Sequence, residues 1–408
     1  MENQTREILL AGLHRDASRL DTVNWPALGE EEWTALIEMA ARQGVAPLLY
    51  QRLKAPTMTG RIPDRVLERL RGFYLNTAAS NVRLYEELRV LLLALRAAGI
   101  PVLVLKGAYL AVNVYRNIAL RPMSDIDILV PKTAARAALK VLQSAGYELL
   151  APATEEAIPW AGKDMVLRKE GHHFPVEVHW TLTDQEIDVN MDEGWERSQT
   201  TRIDGIEVGV LSLEDFLLHI CLHASYHHSF NISLTPLYDI ALFIDQFQCE
   251  LAWDRFCQYT ASYRWDKGVY LILWLARERV GANAPAEILE KLKPVDLPEA
   301  MVTAAEYRIF QGRDAAGALS NQFVSLWGKA KWIEKLRAVW RSIFLSREVM
   351  ARLYPVRLDS LWLYGYYLIR MKDLAVRYGQ PLWRLLRGER QFTETVRQRD
   401  ALHEWLFK

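Results

Sequence analysis

Arg121-Pro-Met-Ser-Asp-Ile-Asp-Ile-Leu-Val130 is the stretch on which the reading of this chain turns. It passes from alternating polar and apolar residues into an aliphatic run closed by Pro131, which predicts a strand entering a core. Residues two apart in a strand share a face, with Cα atoms roughly 6.5 to 7 Å apart. Asp125 and Asp127 therefore project together while Ile126 and Ile128 point inward. Two adjacent carboxylates repel, and a divalent cation between them relieves the repulsion. Hard oxygen donors with open positions suit Mg²⁺ or Mn²⁺.

On the N-terminal side, Pro101-Val-Leu-Val-Leu105 follows the helix-stopping Gly99-Ile100 and reads as a short buried strand. A helix is expected from Ala108 to about Asn117. On the C-terminal side a helix over Thr133 to Ala145 ends at Gly146, and Met165 to Arg168 and Phe174 to Trp180 are further strands. The last of these carries Glu177 between two valines. If it lies beside the Asp125–Asp127 strand, three carboxylates converge, a set able to hold two metal ions about 3.5 to 4 Å apart for phosphoryl or nucleotidyl transfer. Acids on the solvent face of an edge strand are ordinary, and a lone pair of them decides nothing. The balance shifts because Lys106-Gly107 leaves the preceding strand: glycine admits a phosphate close to the backbone and lysine supplies it with charge.

The surroundings are those of a globular chain of 408 residues, 50% hydrophobic and 25% charged, with 50 basic residues balancing 50 acidic ones. Disorder, a collagen-like rod and a disulfide-stapled miniprotein are excluded. Cys221, Cys249 and Cys257 form no CxxC pair and no disulfide framework, so a reducing cytoplasm is the expected location. The N-terminal run carries both acid and base and does not read as a signal peptide. The most apolar stretches fall short of the roughly 18 to 20 residues that a spanning helix needs.

Residues 1–99 read as helix. Apolar residues recur at helical spacing over Glu31 to Leu53, and a longer helix runs from Pro63-Asp64 to Gly99 with a stripe that includes Val66, Leu70, Phe73, Tyr74, Val82, Leu88, Leu91, Leu92 and Leu95. From Leu213 onward no strand signal remains. The expected architecture is α+β: an N-terminal helical region over 1–99, a small sheet domain over 100–212 and a C-terminal helical region over 213–408. Gly281 to Pro298 is the expected internal boundary of the last.

Leu103-Val-Leu-Lys-Gly-Ala-Tyr-Leu110, Arg121 to Val130, and Val176-Glu-Val-His-Trp180 together resemble the bacterial "uncharacterised nucleotidyltransferase" family of the DNA polymerase β-type nucleotidyltransferase superfamily. The resemblance is tightest over 100–182, and it extends to Ala40-Ala-Arg-Gln-Gly-Val-Ala-Pro-Leu-Leu49 and to the helices after 213. It implies that Asp125, Asp127 and Glu177 are catalytic and hold Mg²⁺ or Mn²⁺. It implies further that NMP passes from an NTP, ATP being the expected one, to a hydroxyl or phosphate acceptor with release of pyrophosphate. Lys106, Gly107, Arg121 and Ser124 are the expected nucleotide contacts. The superfamily's serine position holds Ala108, a departure that touches the triphosphate contact. Two other readings stand beside this one. A glycosyltransferase also uses a DxD metal site, and a non-catalytic nucleotide-binding scaffold would account for Ala108.

Seven of the nine histidines fall between His172 and His228. His219, His223 and His227 share a helix face over a rise of about 12 Å, too long for one ion to meet all three on a straight helix. The expectation is that His219 and His223 pack the helical region onto the sheet, one facing the nucleotide, with Asp239 orienting an imidazole. Residues 329–390 contain 14 Lys and Arg against 5 Asp and Glu, with Trp332, Trp340, Trp362 and Trp383 interleaved. Such a segment suits a membrane surface, an RNA or a polyanionic acceptor, and equally a solvated helical face with aromatic core anchors; nothing else in the sequence points strongly to nucleic acid. The zero net charge is thus a cancellation.

Overall fold

The computed structural model describes residues 2–151, 163–183, 191–311, 364–373 and 390–408, with single positions at 344, 345, 347, 350 and 360. Seven strands form one mixed sheet: β1 (Leu103–Val104), β2 (Ile126–Leu129), β3 (Tyr147–Ala151), β4 (Asp164–Lys169), β5 (Val176–His179), β6 (Gln199–Ile203) and β7 (Ile206–Val210). Their spatial order is β3-β4-β5-β2-β1-β7-β6. The acid strand β2 therefore lies at the centre, antiparallel to β1 and parallel to β5. Every residue of β2 is buried, and Ile126 and Ile128 are fully enclosed. This is the α+β architecture expected from the sequence.

Two features of the sheet lie beyond the expected strands. Asp204 and Gly205 both adopt positive φ and connect β6 to β7 in a two-residue hairpin, with Ile203 and Ile206 as register partners. The hairpin adds β7 alongside β1 in parallel. β3 extends the opposite edge next to β4.

The N-terminal part is helical throughout its regular elements, and its longest helix positions the site. The stretch 31–53 is two helices, Glu30–Arg42 and Ala46–Leu53. They part at Gly44, whose φ of +68° allows its N–H and that of Val45 to bond back to Ala41 and Ala40 and close the first helix. The 34-residue helix Asp64–Ala97 ends the same way at Gly99. Its buried line runs through Val66, Leu70, Thr77, Asn81, Leu84, Tyr85, Leu88, Leu91, Leu92 and Leu95. Phe73 and Val82, expected on the apolar stripe, are 38% and 54% exposed. The polar Thr77 and Asn81 take core-facing places instead. Asn81 Nδ2 donates to the carbonyls of Ile118 and Arg121, and Tyr85 Oη donates to that of Ala108 at 2.8 Å. The helix thereby holds both the loop entering β2 and the start of the helix Lys106–Asn113.

The described residues of 1–148, 161–228 and 232–297 form one compact unit, and those of 298–408 belong to a second. In the first, the helices Leu213–Leu222, Thr235–Gln246 and Asp266–Val280 pack through Phe216, Leu217, Ile240, Phe243, Leu271 and Leu275. In the second, Glu299–Gln311 packs against Arg390–Phe407. The basic, tryptophan-bearing stretch 329–390 lies almost wholly outside the described residues. Among those described, no helix is long and apolar enough to cross a membrane.

Candidate active site

The parallel register of β2 and β5 sets Asp127 opposite Glu177, and Leu129 opposite His179. Alternation then brings Asp127, Glu177 and His179 to one face of the sheet, because residues two apart and direct cross-strand partners share a face. One donor atom from each of the three lies within 4.8 Å of the others, the single such grouping of His, Cys, Asp and Glu among the described residues. His179 Nε2 is 3.1 Å from Asp127 Oδ1 and 3.5 Å from Glu177 Oε2, while its Nδ1 is 3.7 Å from Asp164 Oδ2. The sequence alone assigns His179 no role. Its signal was the spacing of two from Glu177 in a strand.

Asp125 stands one residue before β2 and lies outside this donor group. It is half-buried, and its electrostatics tie it to the site. Burial and the neighbouring Asp127 carboxylate push its carboxyl up to about 6, against the pull of Lys106. Asp127 is driven the other way. Burial would raise it, but the Lys106 ammonium and the His179 imidazole outweigh that and hold it well below the usual carboxylate range. Burial pulls His179 down, and its bonds to Asp127 and Glu177 reverse the sign to a net rise.

The four residues expected to contact the nucleotide have the following surroundings. Lys106 Nζ lies 2.7 Å from Asp127 Oδ1, so its charge is spent on the acid strand. Arg121 is bonded to Asp239: its Nε and Nη2 donate to the two oxygens of that carboxylate, each at 2.8 Å, and Tyr115 Oη donates to it at 2.9 Å, while the guanidinium charge still reaches Asp125. Gly107 makes room for that guanidinium. A Cβ there would collide with Arg121 Nη1 and lie 3.0 Å from Met123 Sδ. Ser124 is exposed.

Among the described residues Asp239 is hydrogen-bonded to Arg121 and Tyr115 rather than to an imidazole, the bidentate guanidinium being the stronger partner. The three histidines expected on one straight face follow the helix Leu213–Leu222 into a π-helical turn over His223–His227. His223 Nε2 meets His228 Nε2 at 3.1 Å, and neither ring nitrogen of His219 has a hydrogen-bond partner among the described residues. Burial, reinforced by the Lys106 charge, holds His219 and His223 well below the ordinary histidine range.

The family described as "uncharacterised nucleotidyltransferase" matches residues 29–281 of the 408, more than half of the chain. The chain belongs to that family. Among solved structures, this nucleotidyltransferase-family chain is similar to the lincomycin-bound lincosamide antibiotic adenylyltransferase LnuA. The two share 19% identity over 39% of this chain and 94% of that one, with a TM-score of 0.28. No curated protein matches. The family match includes all of the residues placed in the site above, from Lys106 to Asp239.

Proposed function

We propose that the chain transfers a nucleotidyl group from an NTP to a hydroxyl or phosphate acceptor, at a divalent cation held by Asp127, Glu177 and His179 with Asp125 alongside. The observation that carries this reading is the Asp127–Glu177 register pairing on two central parallel strands, with His179 completing a three-donor group. The donor chemistry fits a cation: two carboxylate oxygens and one imidazole nitrogen, with the half-buried Asp125 carboxylate near enough to Asp127 for the two to repel. Mn²⁺ tolerates the nitrogen donor better than Mg²⁺ does.

In the reaction, an acceptor oxygen attacks the α-phosphorus, the bond to the bridging oxygen breaks, and pyrophosphate leaves with the displaced electron pair. The cation supplies charge neutralisation for the phosphate oxygens. The carboxylates of Asp127 and Glu177 hold that charge in place, and Glu177, the more exposed of the two, is the one positioned to take the acceptor proton. ATP is the first donor to test.

The experiment is incubation of the full chain with each α-labelled NTP, Mn²⁺ or Mg²⁺, and a cell extract as the source of acceptor. Label should move into an acid-stable product, and Asp125→Asn combined with Asp127→Asn should abolish the transfer. Transfer that survives both changes would sink the reading. Metal-dependent NTP binding without transfer would favour the scaffold alternative.

A further inference from the structure

We propose that Lys106 is a placeholder for the cation. Its ammonium neutralises Asp127 in the metal-free chain and moves to a nucleotide phosphate when metal and nucleotide arrive together. The inference rests on the nucleotidyl-transfer reading and assigns that site an order of binding.

Three observations carry it. Lys106 Nζ sits 2.7 Å from Oδ1 of Asp127, the oxygen that His179 Nε2 also meets, so the ammonium shares a carboxylate with the donor group suited to a metal. A divalent cation and an ammonium on the same oxygen repel at short range, in surroundings where little water screens them. Second, Lys106 is largely enclosed, with 12% of its side chain exposed; burial opposes its charge, and Asp127, Glu177 and Asp125 act to keep it. A cation that took those carboxylates would leave the ammonium in a buried place without its counter-charges, a costly state. The anion that arrives with the cation is the triphosphate.

The third observation is the backbone. Lys106 opens the helix Lys106–Asn113 with φ at +42°, a left-handed conformation costly for a residue with a side chain. The backbone there is held by Leu105 N–H, which bonds to the carbonyl of Asp127, so the root of the side chain is fixed to the acid strand. The four-carbon stem is flexible, and the head can change partner while its root stays. Metal alone must displace Lys106 with nothing to receive it; metal with nucleotide supplies the receiver. The two ligands are therefore expected to bind cooperatively, and free metal weakly.

The test is calorimetric titration of the full chain with Mn²⁺ in the absence of nucleotide, comparing wild type, Lys106→Met and Lys106→Arg. Lys106→Met should bind Mn²⁺ alone about tenfold more tightly than wild type, and a non-hydrolysable NTP analogue with Mn²⁺ about tenfold more weakly, the usual size of a coupling between sites. Lys106→Arg, which keeps the charge, should show no gain for Mn²⁺ alone. A folded Lys106→Met variant with unchanged or weaker Mn²⁺ affinity overturns the proposal. A second measurement needs no variant. In a crystal structure of the wild-type chain with Mn²⁺ and the analogue, Lys106 Nζ should lie on a phosphate oxygen and beyond about 4 Å from Asp127. Persistence of the Lys106–Asp127 pair beside a bound cation overturns it. Absence of any Mn²⁺ binding by wild type with the analogue present would instead remove the transfer reading on which the placeholder rests.

Discussion

Arg121 and Asp239, 118 residues apart, meet in a two-pronged ion pair with both hydrogen bonds at 2.8 Å. The pair joins the loop that leads into the acid strand to the helix Thr235–Gln246, and Tyr115 closes it by donating to the same carboxylate. Burial opposes charge on Arg121, yet the Asp239 carboxylate keeps its guanidinium firmly protonated.

Breaking one side of this buried pair should be more harmful than removing both. Asp239→Asn should lower the unfolding free energy by about 3 to 5 kcal/mol, since it strands a buried guanidinium. Arg121→Met combined with Asp239→Leu should recover part of that loss. Urea denaturation of the two variants checks the order, and equal stabilities would contradict it.

Gly107→Ala should be destabilising by about 1 to 3 kcal/mol through overpacking, although the residue lies in a helix where alanine is normally favoured. The added Cβ meets the Arg121 guanidinium and the Met123 sulfur. Met123 is flexible and can yield; the guanidinium, held by Asp239, cannot. Shortening the sulfur side with Met123→Ala should therefore not rescue Gly107→Ala, a double-mutant cycle that thermal unfolding can read.

The carboxyl of Asp125, pushed up to about 6 by burial and by Asp127, gives the metal-free chain a pH signature. A raised folded-state value means that folding takes up a proton between the unfolded value near 4 and about 6. Stability from this group is fully present below that window and is lost as pH rises through it. Asp125→Asn should therefore stabilise the metal-free chain at pH 8 by roughly 1 to 3 kcal/mol and leave it unchanged near pH 4. Melting curves in chelator at both pH values check this, and saturating Mn²⁺ should erase the advantage at pH 8.

His179→Gln should weaken Mn²⁺ binding in the presence of nucleotide by about 10- to 100-fold, with a smaller effect on Mg²⁺. The nitrogen donor is the reason for the asymmetry. Calorimetric titration with each metal checks it, and an equal loss for both would assign His179 to orienting Asp127 rather than to holding the cation.

Much of this site was legible one strand at a time. The alternation in Ser124 to Val130 shows Asp125 and Asp127 on one face, and the valines flanking Glu177 mark another strand with an acid at its middle. The Asp204-Gly205 turn is equally legible as a hairpin signal, since both residues tolerate positive φ, yet both flanking strands are only five residues long and the first, Gln199–Ile203, is mostly polar. The break at Gly44 was hidden because the apolar spacing continues across it.

Partners of the charged groups were a different matter. Local pattern states which residues are charged and which face they share, because backbone geometry repeats every two residues in a strand and about every 3.6 in a helix. It does not state which opposite charge arrives from elsewhere in the chain. Lys106 and Arg121, both expected on phosphate, are held by Asp127 and Asp239, and His179 gained its place only when β5 docked beside β2. The sequence by itself determined the α+β plan, the family and the paired acids. Tertiary structure alone decided the register that sets Asp127 against Glu177 and the pairing of each buried cation, because those depend on long-range packing and on the cost of leaving a buried charge alone.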